Sequence, residues 1–485
     1  MAYEGALEAE THAEVGATPL QWIGVAPGAP YFVDDTGADF TPIGHNDSIS
    51  WIELAPLFGR KDVAAVEAHL RGLRASGVTV IRLMLEYAQV RHRYFERPVG
   101  RPVPAMVRLW DDLFALCERV GLRILLTPVD TFWTWLHWAH HPWNAVHGGP
   151  LDHPSRLLTC EDTRDAIKVR LEFCVRRWGG SGALFAWDLW NEIHPAQGGE
   201  SADHWPAFIA DLSAHVRGLE RSLYGRTHPQ TVSLFGPELN WRPHLPMREP
   251  IFRHPDLDFA TLHIYRHGSI DDPRDTVNPA RAMGRIVRES LAEIADRRPF
   301  LDTEHGPIHT FKDRKKTLPA PFDDEYFRHI QWAHFASGAS GGGMRWPNRR
   351  PHVLTPGMRR AQAGLAGFTP LIDWARFDRR NLNEEVRVSA RTFAVFACGS
   401  EDQAVVWLLR RGALARDGRV RTDAPPVAAE VRVPGLGDGA YRVTGWNTAE
   451  GRAVETLHAT AEAGELRFTP APIAADRAFA IRRVG

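Results

Sequence analysis

Two glutamates follow apolar runs of the sequence, and these two residues could act as a pair. Glu192 follows Asn191 in the stretch FAWDLWNEIHP (185–195), and Glu304 ends the run RPFLDTE (298–304). Two carboxyls that face each other can cleave a glycosidic bond when one is protonated and the other is ionised. The protonated carboxyl donates to the leaving oxygen, and the ionised carboxyl attacks the anomeric carbon.

These two roles require different surroundings for chemically equal groups. We expect desolvation by the tryptophans of WDLW (187–190) to raise the pKa of Glu192. A cation and hydrogen-bond donors would keep Glu304 ionised, and Arg82 and Tyr265 are the candidates for that task. The alternative is that both glutamates are ordinary surface acids at the ends of strands.

Between about residues 38 and 372, short apolar runs alternate with helical periodicities such as KDVAAVEAHLRGLRASG (61–77). The eight predicted strands are ADFTPIG (38–44), VTVIRLML (78–85), LRILLTPV (122–129), ALFAWDLW (183–190), QTVSLFG (230–236), LDFATLHIY (257–265), RPFLDTE (298–304) and GGGMRW (341–346). Strands that are apolar throughout are buried on both faces, as in parallel sheets. This pattern predicts an α/β fold, a (β/α)8 TIM barrel. An open doubly wound sheet is the competitor, but no glycine-rich phosphate motif follows the first strand.

The pattern changes after about residue 380, where short strand candidates are separated by Gly, Pro and Asp turns. No amphipathic helix intervenes, which predicts a C-terminal antiparallel β-sandwich. We therefore expect two domains. Residues 1–378 would form the catalytic barrel with an N-terminal extension, and residues 379–485 would form an accessory β-sandwich domain that packs against it, stabilises it or contacts sugar.

Composition excludes some classes of partner. The chain has 485 residues and a net charge of -1 at pH 7, so it does not predict binding to nucleic acid. No apolar run reaches the roughly 18 residues of a membrane span. The first 20 residues lack the basic and apolar segments of a secretion signal, and Cys117 and Cys174 lie in helical patterns. We expect a cytoplasmic protein, or a secreted one if its start was processed. The oligomeric state stays open.

In a (β/α)8 barrel, the chemistry gathers at the C-terminal ends of the strands. Polar or aromatic residues lie near the C-terminal ends of the predicted strands, at His45 and Asn46, Arg82 and Glu86, Asp130, Asn191 and Glu192, Glu238 and Asn240, His263 and Tyr265, Glu304 and His305, and Trp346. Glu192 and Glu304 close the fourth and seventh predicted strands, so they would face each other across the mouth. Glu86, Glu238 and Asp130 are alternatives for the second carboxylate, and each also fits a substrate-binding or loop-anchoring role.

Several of these stretches resemble the motifs of a known enzyme group. WDLWNEI (187–193) is similar to the acid/base motif of the clan A glycoside hydrolases, and FLDTEHG (300–306) is similar to their nucleophile motif. LHIY (262–265) resembles the His-x-Tyr of the sixth strand in glycoside hydrolase family 5, the cellulase and mannanase family. The Arg in VIRLML (80–85) and the Trp in GGGMRWP (341–347) also match that family.

The resemblance implies a retaining β-glycosidase that acts by double displacement on a carbohydrate, with Glu192 as acid/base and Glu304 as nucleophile. It implies no metal or organic cofactor. The further roles implied are binding of the 2-hydroxyl by Asn191, support of Glu304 by Arg82 and Tyr265, lining of the subsite by His263, and a sugar platform at Trp346. The sequence departs from the family in TPVDTFW (127–133), where many members carry a histidine at the end of strand three. The sugar, the linkage and the choice between endo and exo action stay open.

The stretch DTFWTWLHWAHHPWNAVH (130–147) holds four tryptophans and four histidines. A sugar-binding wall of Trp133, Trp135 and Trp143 is one interpretation, and plain loop packing is another. A zinc site is a third, but the spacing of His137, His140, His141 and His147 has no HExxH pattern and no paired cysteines. Asn46 and Glu238 complete the predicted substrate-binding residues.

Three other functions remain as alternatives. A barrel could bind carbohydrate through its tryptophans without hydrolysing it, or the same site could transfer glycosyl groups to another sugar. A barrel enzyme of another class, such as an isomerase, would need phosphate-binding loops after strands seven and eight. SGGGM (340–344) is the glycine-rich candidate for such a loop, and it precedes the strand end.

Overall fold

The structure is a computed structural model that describes residues 19–86, 94–266, 269–294, 296–309 and 316–484. The prediction about a secretion signal concerns the first 20 residues and so falls almost wholly outside these ranges. Within the described ranges, no helix combines the length and the apolarity that a membrane crossing requires.

A small antiparallel sheet precedes the barrel. Its strands are β1 (Ile23–Val25), β2 (Phe32–Asp34) and β3 (Asp39–Phe40). The side chains of Phe32 and Phe40 pack on the apolar residues at the N-terminal end of the barrel, where the ring of Phe32 lies 5.0 Å from that of Phe185. This sheet therefore closes the end of the barrel that lies away from the carboxyl ends of its strands.

The predicted first barrel strand, 38–44, is wrong. Asp39–Phe40 pairs with β2 in the small sheet, and the first barrel strand is β4 (Gly44–Asn46). Pro42 lies between the two strands. Because proline has no N–H to give to a strand ladder, one continuous strand across this stretch is disfavoured.

Parallel strands form the predicted TIM barrel. In the described part of the chain, β4 is followed by β5 (Val80–Met84), β6 (Arg123–Thr127), β7 (Leu184–Asp188), β8 (Gln230–Thr231), β9 (His263–Arg266), β10 (Glu304–Pro307) and β11 (Met344–Arg345). Neighbouring strands pair in parallel, and β11 returns to β4. A parallel bridge between Phe235 and His263 joins the chain after β8 to β9 and closes the ring.

Helices surround the barrel. In the described ranges they are α1 (Val63–Ala75), α2 (Pro104–Val120), α3 (Thr131–Leu136), α4 (Glu161–Trp178), α5 (Trp205–Tyr224), α6 (Glu238–Trp241), α7 (Glu249–Phe252), α8 (Val277–Glu293), α9 (Ala320–Ala336) and α10 (Pro356–Phe368). Short 3-10 helices lie at Ala55–Arg60, Trp138–His140, Ala145–His147, Pro154–Arg156, Pro195–Gly198, Thr369–Leu371 and Trp374–Arg376. Two helix ends carry standard caps: Asp62 accepts a hydrogen bond from the third residue of α1, and left-handed Gly121 ends α2.

The seventh barrel strand starts where the sequence predicts that it ends. Glu304 opens β10 instead of closing a strand at 298–304. Upstream of Glu304, side chains replace strand partners: Asp302 N–H donates to His334 Nε2 at 3.1 Å, and Thr303 N–H donates to Thr261 Oγ1 at 3.2 Å. Glu304 therefore lies in extended backbone. Hydrogen bonds to side chains fix the residues before it, and strand pairing fixes the residues after it.

The C-terminal part is the predicted antiparallel β-sandwich. Its strands in the described chain are β12 (Arg380–Asn381), β13 (Arg387–Val388), β14 (Phe393–Gly399), β15 (Gln403–Arg410), β16 (Val431–Pro434), β17 (Gly439–Asn447), β18 (Arg452–Glu462), β19 (Glu465–Phe468) and β20 (Asp476–Arg483). They form one sheet in the order β12-β14-β15-β20-β17-β18-β19-β16-β13. Residues from both halves of this sheet share an apolar core that includes Val406 of β15, Val433 of β16 and Phe479 of β20.

The outer face of this sheet packs on the barrel. Phe396 of β14 and Trp407 of β15 belong to the same apolar cluster as the interior of the barrel helices. Arg328 of α9 pairs with Asp476 of β20 at 2.8 Å. Helix α9 is buried almost throughout because it lies between the barrel and the sandwich.

Candidate active site

The carboxyl ends of the barrel strands bring seven predicted residues together. They are Asn46, Arg82, Asn191, Glu192, His263, Tyr265 and Glu304. Hydrogen bonds connect Asn46, Asn191, Glu304 and Tyr265 to Arg82, directly or through Glu304, and another joins Glu192 to His263. The two groups meet where His263 Nδ1 lies 3.7 Å from Glu304 Oε2. Parallel strands expose these ends at one rim, so residues far apart in the sequence meet there.

Arg82 is the centre of this cluster and is fully buried. One guanidinium nitrogen donates to Asn46 Oδ1 and Glu304 Oε2, both at 2.8 Å. The other donates to Asp188 Oδ2 at 2.7 Å and to Asn191 Oδ1 at 2.5 Å. Two carboxylates therefore compensate for the buried positive charge, as a buried charge requires.

Glu304 is held at both oxygens. Arg82 donates to Oε2, and the Tyr265 hydroxyl donates to Oε1 at 2.5 Å. Burial raises the pKa of Glu304 above its ordinary value, with a further rise from Glu192. His263 in its protonated form, the Arg82 charge and the Tyr265 hydrogen bond oppose that rise, in the direction that the sequence predicts, without cancelling it.

Glu192 follows β7 with a positive φ of 50° and is half-buried. Its Oε1 lies 2.8 Å from His263 Nδ1, and His263 Nε2 lies 3.2 Å from the Thr303 hydroxyl. Burial raises the pKa of Glu192 to about 7, and burial lowers the pKa of His263 to about 4. At neutral pH the imidazole is therefore uncharged, and a proton shared by the pair resides on the carboxyl.

The two glutamates lie close together. Single ligand-type atoms of Glu192, His263 and Glu304 all lie within 4.8 Å of one another. Retaining glycosidases have catalytic carboxyls about 5–5.5 Å apart, whereas inverting enzymes need about 6.5–9.5 Å to admit a water between them. The nearest approach of the two carboxyls here is therefore shorter than the separation that inverting enzymes need.

The predicted rise in the pKa of Glu192 through burial is confirmed, but Trp187 is not its source. The indole of Trp187 donates to Glu220 on α5 at 2.9 Å, and the ring of Trp190 lies 5.2 Å from that of Phe208 on the same helix. Asp188 points into the barrel towards Arg82, so its neighbour Trp187 points out of it. Both rings pack in the helix layer.

Trp346 and the tryptophans of α3 lie in different environments. Trp346 is half-buried, and its ring meets Trp51 edge to face at 5.1 Å. Trp133 is buried and stacks on His137 at 5.6 Å, whereas Trp135 is 37% exposed. Trp135 and Trp346 therefore present surface on which a sugar ring could stack.

The predicted wall is wrong for Trp143. This residue is fully buried, its indole donates to Glu96 at 2.7 Å, and its ring lies under Arg170 at 4.6 Å. The neighbouring His141 is also buried, 3.6 Å from Glu86. The four histidines of this stretch join none of the clusters of metal-ligand type found among the described residues. This part of the stretch packs the loop.

The alternative carboxylates have other partners. Glu86 pairs with Arg170 at 2.9 Å, and that charge is the largest influence opposing its burial, so its pKa falls to about 2. Glu238 opens α6 and pairs with His194 at 3.3 Å and Arg242 at 3.1 Å. Neither has the surroundings of a proton donor at neutral pH.

Asp188 is a site residue that the sequence does not single out. It accepts from Arg82 and also receives the Ser233 hydroxyl and the Ser233 N–H, each at 3.0 Å. The sequence does contain a signal for this role, because Asp188 is a charged residue within an otherwise apolar strand. Such a residue in the interior of a parallel sheet needs a charged partner.

Comparison with known proteins shows a shared fold. The sequence matches no protein-family model, and no curated protein matches it. A solved structure described as a glycoside hydrolase aligns with a TM-score of 0.59 and 14% identity, over 96% of this chain and 97% of that chain. A glycoside hydrolase family 5 from Bacteroides vulgatus ATCC 8482 aligns with a TM-score of 0.57 and 11% identity, over 95% of this chain and 94% of that one. Over its barrel and its β-sandwich together, the chain thus has the fold of solved glycoside hydrolases.

Proposed function

We propose that the protein is a retaining β-glycoside hydrolase of the family 5 type that cleaves a β-linked glycan or oligosaccharide. The observation that carries this proposal is the close approach of Glu192 and Glu304 at one barrel rim. Their surroundings differ, because Glu304 receives donors at both oxygens from Arg82 and Tyr265. The fold shared with solved glycoside hydrolases supports the same function.

In the first step, a carboxylate oxygen of Glu304 attacks the anomeric carbon and the glycosidic C–O bond breaks. Glu192 gives its proton to the leaving oxygen, for which a pKa of about 7 is suited. In the second step, Glu192 takes a proton from water, and the water oxygen displaces Glu304 from the anomeric carbon. Two inversions restore the original anomeric configuration.

The substrate would bind over the cluster around Arg82. Asn191 is proposed to bind the 2-hydroxyl, with His263 and Asn46 lining the cleavage subsite. Trp346 would provide the sugar platform. The residues proposed for outer contacts are Glu238, Trp133 and Trp135.

Substitution of the two glutamates tests the mechanism. Glu304→Gln should lower kcat by several orders of magnitude, because the amide cannot attack. Glu192→Ala should lose far more activity on a poor leaving group than on dinitrophenol, which needs little proton donation. Exposed Glu450 gives the control, since Glu450→Gln makes the same change far from the site. Substantial activity in Glu304→Gln, or equal losses on both leaving groups for Glu192→Ala, would refute these assignments.

The products distinguish hydrolysis from the alternatives. Proton NMR of a fresh digest of an aryl β-glycoside should show the β-anomer first, because the double displacement retains configuration. Soluble mannans, glucans and xylans should be tested for released reducing ends. Binding without release would favour a non-hydrolytic barrel, and products longer than the substrate would favour glycosyl transfer.

A further inference from the structure

Asp130 connects two parts of the site through its two carboxylate oxygens. Oδ1 accepts a hydrogen bond from Asn191 Nδ2 at 2.5 Å. Oδ2 accepts from the N–H of Trp133, also at 2.5 Å, and so caps α3 at its N-terminus. Asp130 is only 5% exposed, and both oxygens are therefore used inside the protein.

The orientation of the Asn191 amide follows from its other neighbour. Arg82 donates to Asn191 Oδ1 at 2.5 Å, and a guanidinium has donors but no acceptor. The amide oxygen must therefore face Arg82, which directs Nδ2 towards Asp130. A donor at the position of Asp130 would oppose Nδ2, so this position requires an acceptor.

We propose that Asp130 is a positioning residue for the hydrolase proposed above: its carboxylate fixes the Asn191 amide so that one N–H of Nδ2 stays available for the 2-hydroxyl of the substrate. The inference rests on the proposed function. Asp130 binds one N–H of Nδ2, and among the described residues the other has no protein acceptor. The same carboxylate ties this amide to α3 and its exposed Trp135.

The carboxylate must be ionised to serve both donors, because a proton on either oxygen removes one acceptor. Burial raises the pKa of Asp130 to about 7, and the facing carboxylates of Glu192 and Glu304 add to that rise. The hydrogen bonds from Trp133 and Asn191 oppose it. Below neutral pH, Asp130 therefore takes up a proton and one of its two hydrogen bonds is lost.

Asp130→Asn tests the inference with almost no change of shape. One oxygen becomes an NH2 group. When the remaining oxygen keeps the N–H that caps α3, the NH2 group faces Asn191 Nδ2, donor against donor. We expect kcat/KM on an aryl β-glycoside to fall about 10- to 100-fold, as for a buried donor left without its partner. Asp62→Asn is the matched control, because Asp62 caps α1 in the same way at 2.9 Å and is exposed. That variant should keep kcat/KM within about twofold.

Two further variants separate positioning from a purely structural role. Asp130→Ser keeps a good helix cap but is too short to hold Asn191, so it should lose activity while the melting temperature changes little. Asn191→Ala removes the amide that Asp130 is proposed to position. The double variant Asp130→Asn/Asn191→Ala should then be no worse than Asn191→Ala alone. The inference would be overturned if the activity losses of the two single variants multiply in the double variant. It would also be overturned if Asp130→Ser is fully active.

Crystal structures of wild type and Asp130→Asn at one pH give a readout that does not require turnover. We expect the Asn191 side chain of the variant to turn away from Arg82. An unmoved amide would overturn the positioning role. If wild type cleaves no β-glycoside but the amide turns as expected, the proposed function fails while the positioning of Asn191 by Asp130 stands.

Discussion

Arg82 places one buried positive charge among several acceptors. Asp188 engages one guanidinium nitrogen at 2.7 Å and Glu304 engages the other at 2.8 Å. Because the charge is divided between two carboxylates, it offsets only part of the desolvation of Glu304. Burial, with a further rise from Glu192, keeps the pKa of Glu304 above its ordinary value although both of its oxygens receive donors.

Glu192→Gln should stabilise the protein at alkaline pH. The carboxyl pKa is about 7 in the folded protein against an ordinary value of 4.5, so the folded state binds the proton more tightly. Wild-type stability therefore falls as the pH rises from 4.5 to 7 and stays lower above, by about 3 kcal/mol. The Glu192→Gln variant does not lose stability in this way, because glutamine does not titrate.

The check is thermal unfolding at pH 5 and pH 8. The melting temperature of Glu192→Gln should exceed that of wild type by more at pH 8 than at pH 5. Glu450→Gln, an exposed residue, should show no such difference. If the difference in melting temperature between Glu192→Gln and wild type is the same at both pH values, the pKa of Glu192 is not raised.

The sequence predicts the two glutamates as a pair because each is a carboxyl residue at the end of an apolar run. The carboxyl ends of parallel barrel strands lie at one rim, so the two side chains meet there. The partners of Arg82 were harder to find. Asp188 lies 106 positions from Arg82, and their contact depends on how the barrel closes. Trp187 and Trp190 lie near Glu192 in sequence, but both rings contact residues of α5. Alternation along β7 places Trp187 on the face opposite Asp188.

At the scale of the elements, β4 sets the position of Asn46. A Cβ at Gly44 would lie 2.0 Å from the carbonyl oxygen of Val80 in β5. The two strands would have to separate, and Asn46, which binds Arg82, would move with β4. Gly44 is thus required by the close approach of two backbones.

Gly44→Ala should lower the free energy of unfolding by about 1–3 kcal/mol, as for other overpacked sites. It should also lower kcat, because the strand shift displaces Asn46 from Arg82. Gly24→Ala in β1 is the control, since a Cβ there meets nothing within 4 Å. Urea unfolding and turnover should be measured on both variants. Wild-type values for Gly44→Ala would show that the two strands can accommodate the methyl group.

Helices were predicted better than strands. The predicted helix 61–77 corresponds to α1 at Val63–Ala75, because caps and apolar spacing are local signals. The limits of β9 and β10 depend instead on partners. The N–H groups of Asp302 and Thr303 donate to side chains from elsewhere in the chain, which no local pattern reports.

At the scale of the whole molecule, the barrel and the β-sandwich share one contact layer. Phe396 and Trp407 continue the apolar cluster of the barrel helices. At its edge, Asp476 receives Arg328 at 2.8 Å and the Trp407 indole at 3.0 Å. Burial opposes ionisation of Asp476, but the Arg328 charge leads the influences that lower its pKa, to about 2.

Asp476→Asn tests whether this layer stabilises the protein. The amide leaves the Arg328 charge without its partner, so the free energy of unfolding at pH 7 should fall by about 3 kcal/mol. Asp417→Asn is the matched control, because Asp417 pairs with Arg419 at 2.8 Å on the exposed surface. That change should cost less than about 1 kcal/mol. Because the proposed catalytic residues at the barrel rim are other residues, kcat/KM at 25 °C should be unchanged in both variants. Equal unfolding midpoints for wild type and Asp476→Asn would mean that the sandwich adds no stability through α9.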